Sequence, residues 1–206
     1  MKLTFSPLLA VLAIILAGCT SGHTVSIKDL RVEMKKNPVG IGVSQPRFMW
    51  KISSESPDLM QTSYQIQVAE SPDNLKNGKE LLWDSGEVKS DESILIPYGG
   101  NPLQSRKQYY WRIKANTNQG STDWSPINTW SMTLLNPSDW KATWIGENNL
   151  SNPGETKEGK TRLAARYLRK EFVADKPVQR AVLYISGLGF SESYINGKPV
   201  SEDIFA

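Results

Sequence analysis

Residues Gln108–Asn116 read QYYWRIKAN. Tyr109, Trp111, Ile113 and Ala115 fall on one side of an extended chain. Arg112 and Lys114 fall on the other, and this period of two marks a half-buried strand. Ser63–Ser71, SYQIQVAES, repeats it, with Tyr64, Ile66 and Val68 against Gln65 and Gln67. RFMWKIS (47–53), ELLWDSGEV (80–88) and ESILIPY (92–98) are shorter runs of the same kind. Pro46, Pro57, Pro72-Asp73, Asn77-Gly78, Gly99-Gly100 and Gly120 punctuate them as turns. No segment keeps a 3.6-residue period long enough to predict a helix. About seven short strands in roughly 110 residues predict an all-β sandwich over 25–135.

The stretch Tyr109–Ser125, Y-x-W-R-I-x-A-x(4)-G-x(3)-W-S, resembles the penultimate strand and following turn of fibronectin type III modules. Trp50 is then the buried aromatic of an early strand. The seven tryptophans raise the idea of sugar stacking. Trp50, Trp83 and Trp111 sit at inward positions and are expected to fill the core. Trp124, Trp130, Trp140 and Trp144 lie toward the end of this region and are expected to pack two domains together.

The chain has 206 residues, a net charge of +3 and one cysteine. The composition is that of a globular protein, and the charge is too small and dispersed to suggest a nucleic-acid partner. Met1-Lys2 followed by the apolar run Leu8–Leu16 reads as a secretory signal over 1–18, too short to span a membrane. Leu16-Ala17-Gly18-Cys19 matches the bacterial lipobox. Cys19 has no disulfide partner, so lipidation is its expected use. Acyl chains give stable anchoring because each buried CH₂ adds about 0.8 kcal/mol. Thr20 follows Cys19, so the Asp that retains lipoproteins in the inner membrane is absent. No acidic run marks export to the outer surface. An exported chain anchored to the outer membrane, on its periplasmic face, is expected. Residues 19–24 form a tether holding the single histidine, His23, which has no companion ligand. Neither a metal nor a cofactor is expected.

NPSDW, Asn136–Trp140, marks a boundary, and KATWIG opens a second module over 136–206. Residues 147–161 are polar and rich in Gly, Pro and charge, and read as a solvated loop. AARYLRKEF, QRAVLYIS and FSESYING read as three strands, Gly187 and Gly189 bracket a bend, and Asn196-Gly197 signals a tight hairpin.

PRFMW, LWDSGEV, YYWRIKA, DWKATWIG, YLRKEF and AVLYISGLGFSESYINGKPV occur here in the order found at the N-terminus of bacterial α-L-rhamnosidases, glycoside hydrolase family 78, which the chain resembles from about Ile27 onward. The resemblance implies a fibronectin-like domain, then the start of a jelly-roll accessory domain that is incomplete at Ala206. In the family these precede a catalytic (α/α)₆ barrel and a C-terminal β-domain, so the chain is expected to be the front piece of a longer protein. It further implies inverting hydrolysis of terminal α-L-rhamnose by two carboxyl groups of the barrel. No position here corresponds to them, so no catalytic residue is assigned, and Asp84, Glu87, Glu171 and Glu192 read as solvated surface charge. No ligand-binding residue is assigned. Two functions fit: the front region of a lipid-anchored α-L-rhamnosidase, inactive by itself and linked to rhamnose-containing glycans, or a non-catalytic lipoprotein that binds glycan or protein. The NGK hairpin also occurs beside β-galactosidase-like barrels and does not choose between them.

Overall fold

The computed structural model describes residues 25–146, 156–157, 160–161 and 166–200. The signal sequence, Cys19, His23 and most of the loop at 147–161 lie outside the described residues. By internal contacts the chain divides into two units, one ending at Ala142 and one beginning at Thr143.

The first unit is a two-sheet sandwich. Strands β1 (Ser26–Val32), β2 (Arg47–Ser53) and β5 (Ile96–Pro97) form an antiparallel sheet in the order β1-β2-β5. The second sheet runs β4-β3-β6-β7, from β3 (Gln61–Ala69), β4 (Leu81–Asp84), β6 (Gln108–Thr117) and β7 (Gly120–Ser121), with β8 (Asn128–Ser131) also paired to β6. The longest ladder is β3 on β6, with Ile66 opposite Ile113 and Val68 opposite Trp111. The alternation read from QYYWRIKAN is realised: Tyr109, Trp111, Ile113 and Ala115 are buried, and Lys114 is exposed.

Aromatic rings join the sheets. Phe48 of β2 is fully buried, with its ring centroid 4.6 Å from Trp111, 5.4 Å from Trp130 and 5.9 Å from Trp83. Tilted and edge-on rings at these separations add to what burial alone contributes. Trp50 and Trp111 are buried as expected, and Trp83 packs partly buried against the same cluster. Trp130 differs from the expectation. It is 1% exposed, inside the first unit's core, because β8 pairs with β6 and sets Trp130 opposite Tyr109. Trp140 and Trp144 are exposed, and Trp124 is half-buried beneath Arg112 and Lys114.

One buried polar group spans the interior. The Trp50 indole N–H donates to Gln61 Oε1 at 2.9 Å, and Gln61 Nε2 donates to the carbonyls of Ser90 (3.1 Å) and Glu92 (2.8 Å). Tyr109 supplies a second fixture, since its hydroxyl accepts the Gln104 N–H at 2.7 Å. A tyrosine at the start of this strand that bonds to backbone a few residues upstream is the tyrosine corner of immunoglobulin-like sandwiches. No buried side-chain N or O among the described residues lacks a partner.

Where β6 meets its last neighbour, the ladder is completed by side chains. Thr122 Oγ1 accepts the Ala115 N–H at 2.9 Å and Ser125 Oγ accepts the Ile113 N–H at 3.1 Å. These hydroxyls stand in for carbonyls between β7 and β8, where Pro126 interrupts regular pairing.

A short helix replaces turns expected at Pro72-Asp73 and Asn77-Gly78. α1 (Pro72–Asn77) is capped by Ser71, whose hydroxyl accepts the Asn74 N–H at 3.1 Å, and ends at Gly78 with φ +63°. Six residues are too few to show a period, but the serine cap, first-turn proline and left-handed glycine specify the ends. Leu75 is its buried residue.

In the second unit the Asn196-Gly197 hairpin forms as read. β9 (Tyr194–Ile195) pairs with β10 (Lys198–Pro199), and the turn residues have φ +51° and +77°, the pair of left-handed conformations of a type I′ turn. Gly187 faces Ser191 so closely that a Cβ would lie 2.4 Å from its hydroxyl. The described parts of AARYLRKEF and QRAVLYIS form no strand. Periodicity gives the potential for a strand, but a ladder partner makes one, and these residues have none among those described. Leu183 and Ile185 are accordingly 53% and 63% exposed.

Trp111→Ala is expected to destabilise the first unit by about 3–5 kcal/mol, through the cavity left among Phe48 and the β3–β6 side chains. Gln61→Ala, which strands the Trp50 N–H and two carbonyls, should cost about 1–3 kcal/mol. Denaturant unfolding followed by tryptophan fluorescence measures both. Near-native stability of either variant would contradict this account of the core.

Candidate functional site

The outward surface of the β3-β4-β6 sheet gathers the densest polar array of the first unit. DSGEV, Asp84–Val88, builds much of it. Asp84 Oδ1 accepts the Gln65 side-chain amide (2.6 Å) and the Gly86 backbone N–H (2.9 Å), and Oδ2 accepts the Gln67 amide (2.8 Å). Ser85 Oγ accepts the Ile66 N–H at 2.9 Å, continuing the ladder past the end of β4. Gly86 has φ +60°, the left-handed region that glycine enters without a Cβ clash.

Gln67 relays this anchoring across the sheet, its Oε1 accepting Arg112 Nε (3.0 Å) and Nη2 (2.8 Å). The Arg112 guanidinium lies 4.3 Å from the Trp124 ring centroid, and Lys114 Nζ lies 5.0 Å from it. Beside them, Ser63 Oγ donates to Glu87 Oε1 at 2.7 Å, and Asn116 Nδ2 donates to the same oxygen at 3.0 Å.

The electrostatics follow from these donors. For Asp84, burial favours the neutral acid, but the two glutamine amides, the Gly86 N–H and the Lys114 charge outweigh it and lower the pKa. Ser63 and Asn116 lower that of Glu87. Burial lowers the Arg112 pKa. Asp29, Glu33 and Asp139 are lowered as well, by Arg31, Arg47 and Ser105 respectively. Among the described residues, every carboxylate with a resolved shift is therefore held as an ionised acceptor. A glycosidase general acid needs the opposite, a raised pKa.

Asp84 and Glu87 are thus not idle surface charges. They are acceptors that tie β3, β4 and β6 together. Glu192 accepts the Tyr194 hydroxyl at 2.6 Å, and Glu171 pairs with Arg169. The signal missed in the sequence was the glutamine alternation of SYQIQVAES: Gln65 and Gln67 point at one carboxylate one strand away. A depression lined by Ser44, Gln45, Tyr98, Gly100, Pro102 and Leu103 holds one titratable group, Tyr98, whose hydroxyl burial pushes up to about 12. No group of three or more metal-ligating side chains occurs among the described residues, and no described helix is long and apolar enough to cross a membrane.

Two sheets sealed by an aromatic interior, a tyrosine corner and a self-satisfied polar surface define an immunoglobulin-like module. Residues 27–136 match the family described as the Rha78A-like, N-terminal immunoglobulin domain. The chain belongs to that family of N-terminal immunoglobulin-like domains. An alpha-L-rhamnosidase of Formosa agariphila is 38% identical over 82% of this chain and 18% of its own length. One of Alteromonas sp. (strain LOR) is 34% identical over 93% of this chain and 21% of its own. The chain thus spans about a fifth of the length of these curated relatives. The crystal structure of Streptomyces avermitilis alpha-L-rhamnosidase complexed with L-rhamnose superposes with a TM-score of 0.59 at 33% identity, over 63% of this chain and 13% of that one.

The lowered carboxylates make stability pH-dependent in a defined direction. A group whose pKa is lower folded than unfolded stabilises above its unfolded value, about 4, and loses that contribution as pH falls through the folded value. Thermal unfolding of the first unit should be nearly constant from neutral pH down to about 5 and should fall steeply below about 4. Asp84→Ala should lower stability at neutral pH by about 1 kcal/mol, the low end because the site is solvent-screened, and should flatten the acid limb. A variant with an unchanged acid limb would remove Asp84 from this role.

Proposed function

We propose that this chain is the N-terminal accessory region of a lipid-anchored α-L-rhamnosidase, an enzyme that hydrolyses terminal α-L-rhamnose from glycans or glycosides. The observation that carries the reading is the family match over 27–136, joined to relatives that align over most of this chain while this chain spans about a fifth of them. The inverting acid and base, about 6.5–9.5 Å apart in such enzymes, belong to residues outside this chain. The lowered carboxylates of the first unit support that division of labour. The region from Asn136 onward is the start of a jelly-roll accessory domain, supported by the type I′ hairpin and the exposed Leu183 and Ile185 of the second unit.

Cys19 is the acylated residue that holds the exported chain at the outer membrane, facing the periplasm. The lipobox residues Leu16–Cys19 support this. The purified chain should release no rhamnose from an aryl α-L-rhamnoside, and turnover above the uncatalysed rate would overturn the accessory reading. In a bacterial host the chain should incorporate labelled palmitate and partition with membranes, and Cys19→Ala should abolish both. Acylation that survives Cys19→Ala would remove the anchor.

A further inference from the structure

Residues 25–53 carry Lys28, Arg31, Lys35, Lys36, Arg47 and Lys51 against Asp29 and Glu33. This segment holds a net charge of +4, more than the +3 of the whole chain, so its positive charge is local. Arg47 is matched by Glu33, Nη2 to Oε2 at 2.7 Å. Three of the remaining five cations converge on one carboxylate, while Lys28 Nζ donates to Ser53 Oγ at 3.2 Å. Asp29 meets Arg31 Nε at 2.9 Å, Lys51 Nζ at 3.1 Å and Lys36 Nζ at 3.3 Å. Asp29 itself is largely covered, its side chain 15% exposed, while Lys36 and Lys51 are 67% and 66% exposed.

The backbone is arranged to make this cluster. The register of β1 on β2 shifts between Lys28 and Arg31, and Asp29 sits in the bulge with φ +52°. Lys28 is placed directly opposite Lys51, a like-charge pair that costs stability on a sheet. A left-handed aspartate at a bulge is a second cost. The result is a positively charged outer surface on the three-stranded sheet.

Its position supplies the partner. β1 begins at Ser26, seven residues after Cys19. Seven residues span at most about 25 Å. A chain anchored at Cys19 therefore keeps this sheet close to the lipid headgroups, where basic residues feel the surface charge within a Debye length of about 8 Å.

We propose that the cationic face of β1, β2 and the turn between them docks on the anionic phosphate surface of the membrane that holds Cys19, so that the first unit lies against the bilayer. This rests on the lipid-anchor reading given above. The contact is electrostatic, with Lys28, Arg31, Lys35, Lys36 and Lys51 facing headgroup phosphates.

The full acylated chain, reconstituted in phosphatidylcholine vesicles with and without phosphatidylglycerol, tests this by amine-reactive labelling read by mass spectrometry. Phosphatidylglycerol should slow labelling of Lys36 and Lys51 by at least about tenfold at low salt, with the protection lost at high salt. Lys79 and Lys89, outside this face, should label equally in both vesicles. The double variant Lys36→Glu, Lys51→Glu should lose the protection of Lys28, while Lys79→Glu keeps it. Circular dichroism confirms that each variant is folded, and Lys36→Gln, Lys51→Gln replaces the reversal if it is not. Equal labelling in both vesicle types would overturn the proposal, as would protection by a soluble anionic polysaccharide without protection by phosphatidylglycerol vesicles. Palmitate label on the same preparation separates the two readings: a labelled chain without protection removes the docking face, and protection without label keeps the face and removes the anchor.

Discussion

The hydrogen bond from the Trp50 indole to Gln61 is the constraint on which the first unit turns. Trp50 belongs to one sheet and Gln61 to the other, and both are buried. An amide placed there without partners would carry a large desolvation penalty. Its oxygen is satisfied by the indole and its nitrogen by the carbonyls of Ser90 and Glu92. One side chain thus links the two sheets to each other and to the chain that leads to β5. Around it, Phe48 and its ring partners fill the interior, an arrangement that tolerates little displacement because close-packed aromatic surfaces lose dispersion contacts over fractions of an ångström.

The charged residues of this unit serve the same end. Asp84, Glu87, Glu33, Asp29 and Asp139 each accept hydrogen bonds from named donors, and each is held in its ionised form. At the exit of the sandwich, Asp139 accepts hydrogen bonds from Ser105 and from the Asn136 backbone, and Arg106 donates to its carbonyl. The segment after β8 is thereby tied to the loop that precedes β6. These acids stiffen a scaffold and are tuned away from proton donation.

The strands were legible because period two is imposed by the pleat itself. QYYWRIKAN and SYQIQVAES could satisfy it only with Trp111 and Ile66 inward. The NG hairpin was legible for a local reason, two successive left-handed residues. What escaped depended on neighbours distant in sequence. Position in the sequence sets Trp130 near the junction, and its burial follows only once β8 is paired with β6. The purpose of Asp84 waited on the placement of two glutamines 17 and 19 residues away. The strands expected across 166–186 follow the same logic, since alternation without a neighbour leaves no ladder.

The side-chain rungs after β6 have a consequence for how such molecules coexist. A continuous outer strand would present a free row of amides and carbonyls on which another copy could pair. Here that row is cut into two short pieces, Gly120–Ser121 and Asn128–Ser131, with Pro126 between them. The amides of Ile113 and Ala115 are already taken by hydroxyls that cannot propagate a sheet. An exposed strand edge is a template on which another chain can pair. An interrupted border of this kind offers a neighbouring copy no continuous strand to extend along this edge.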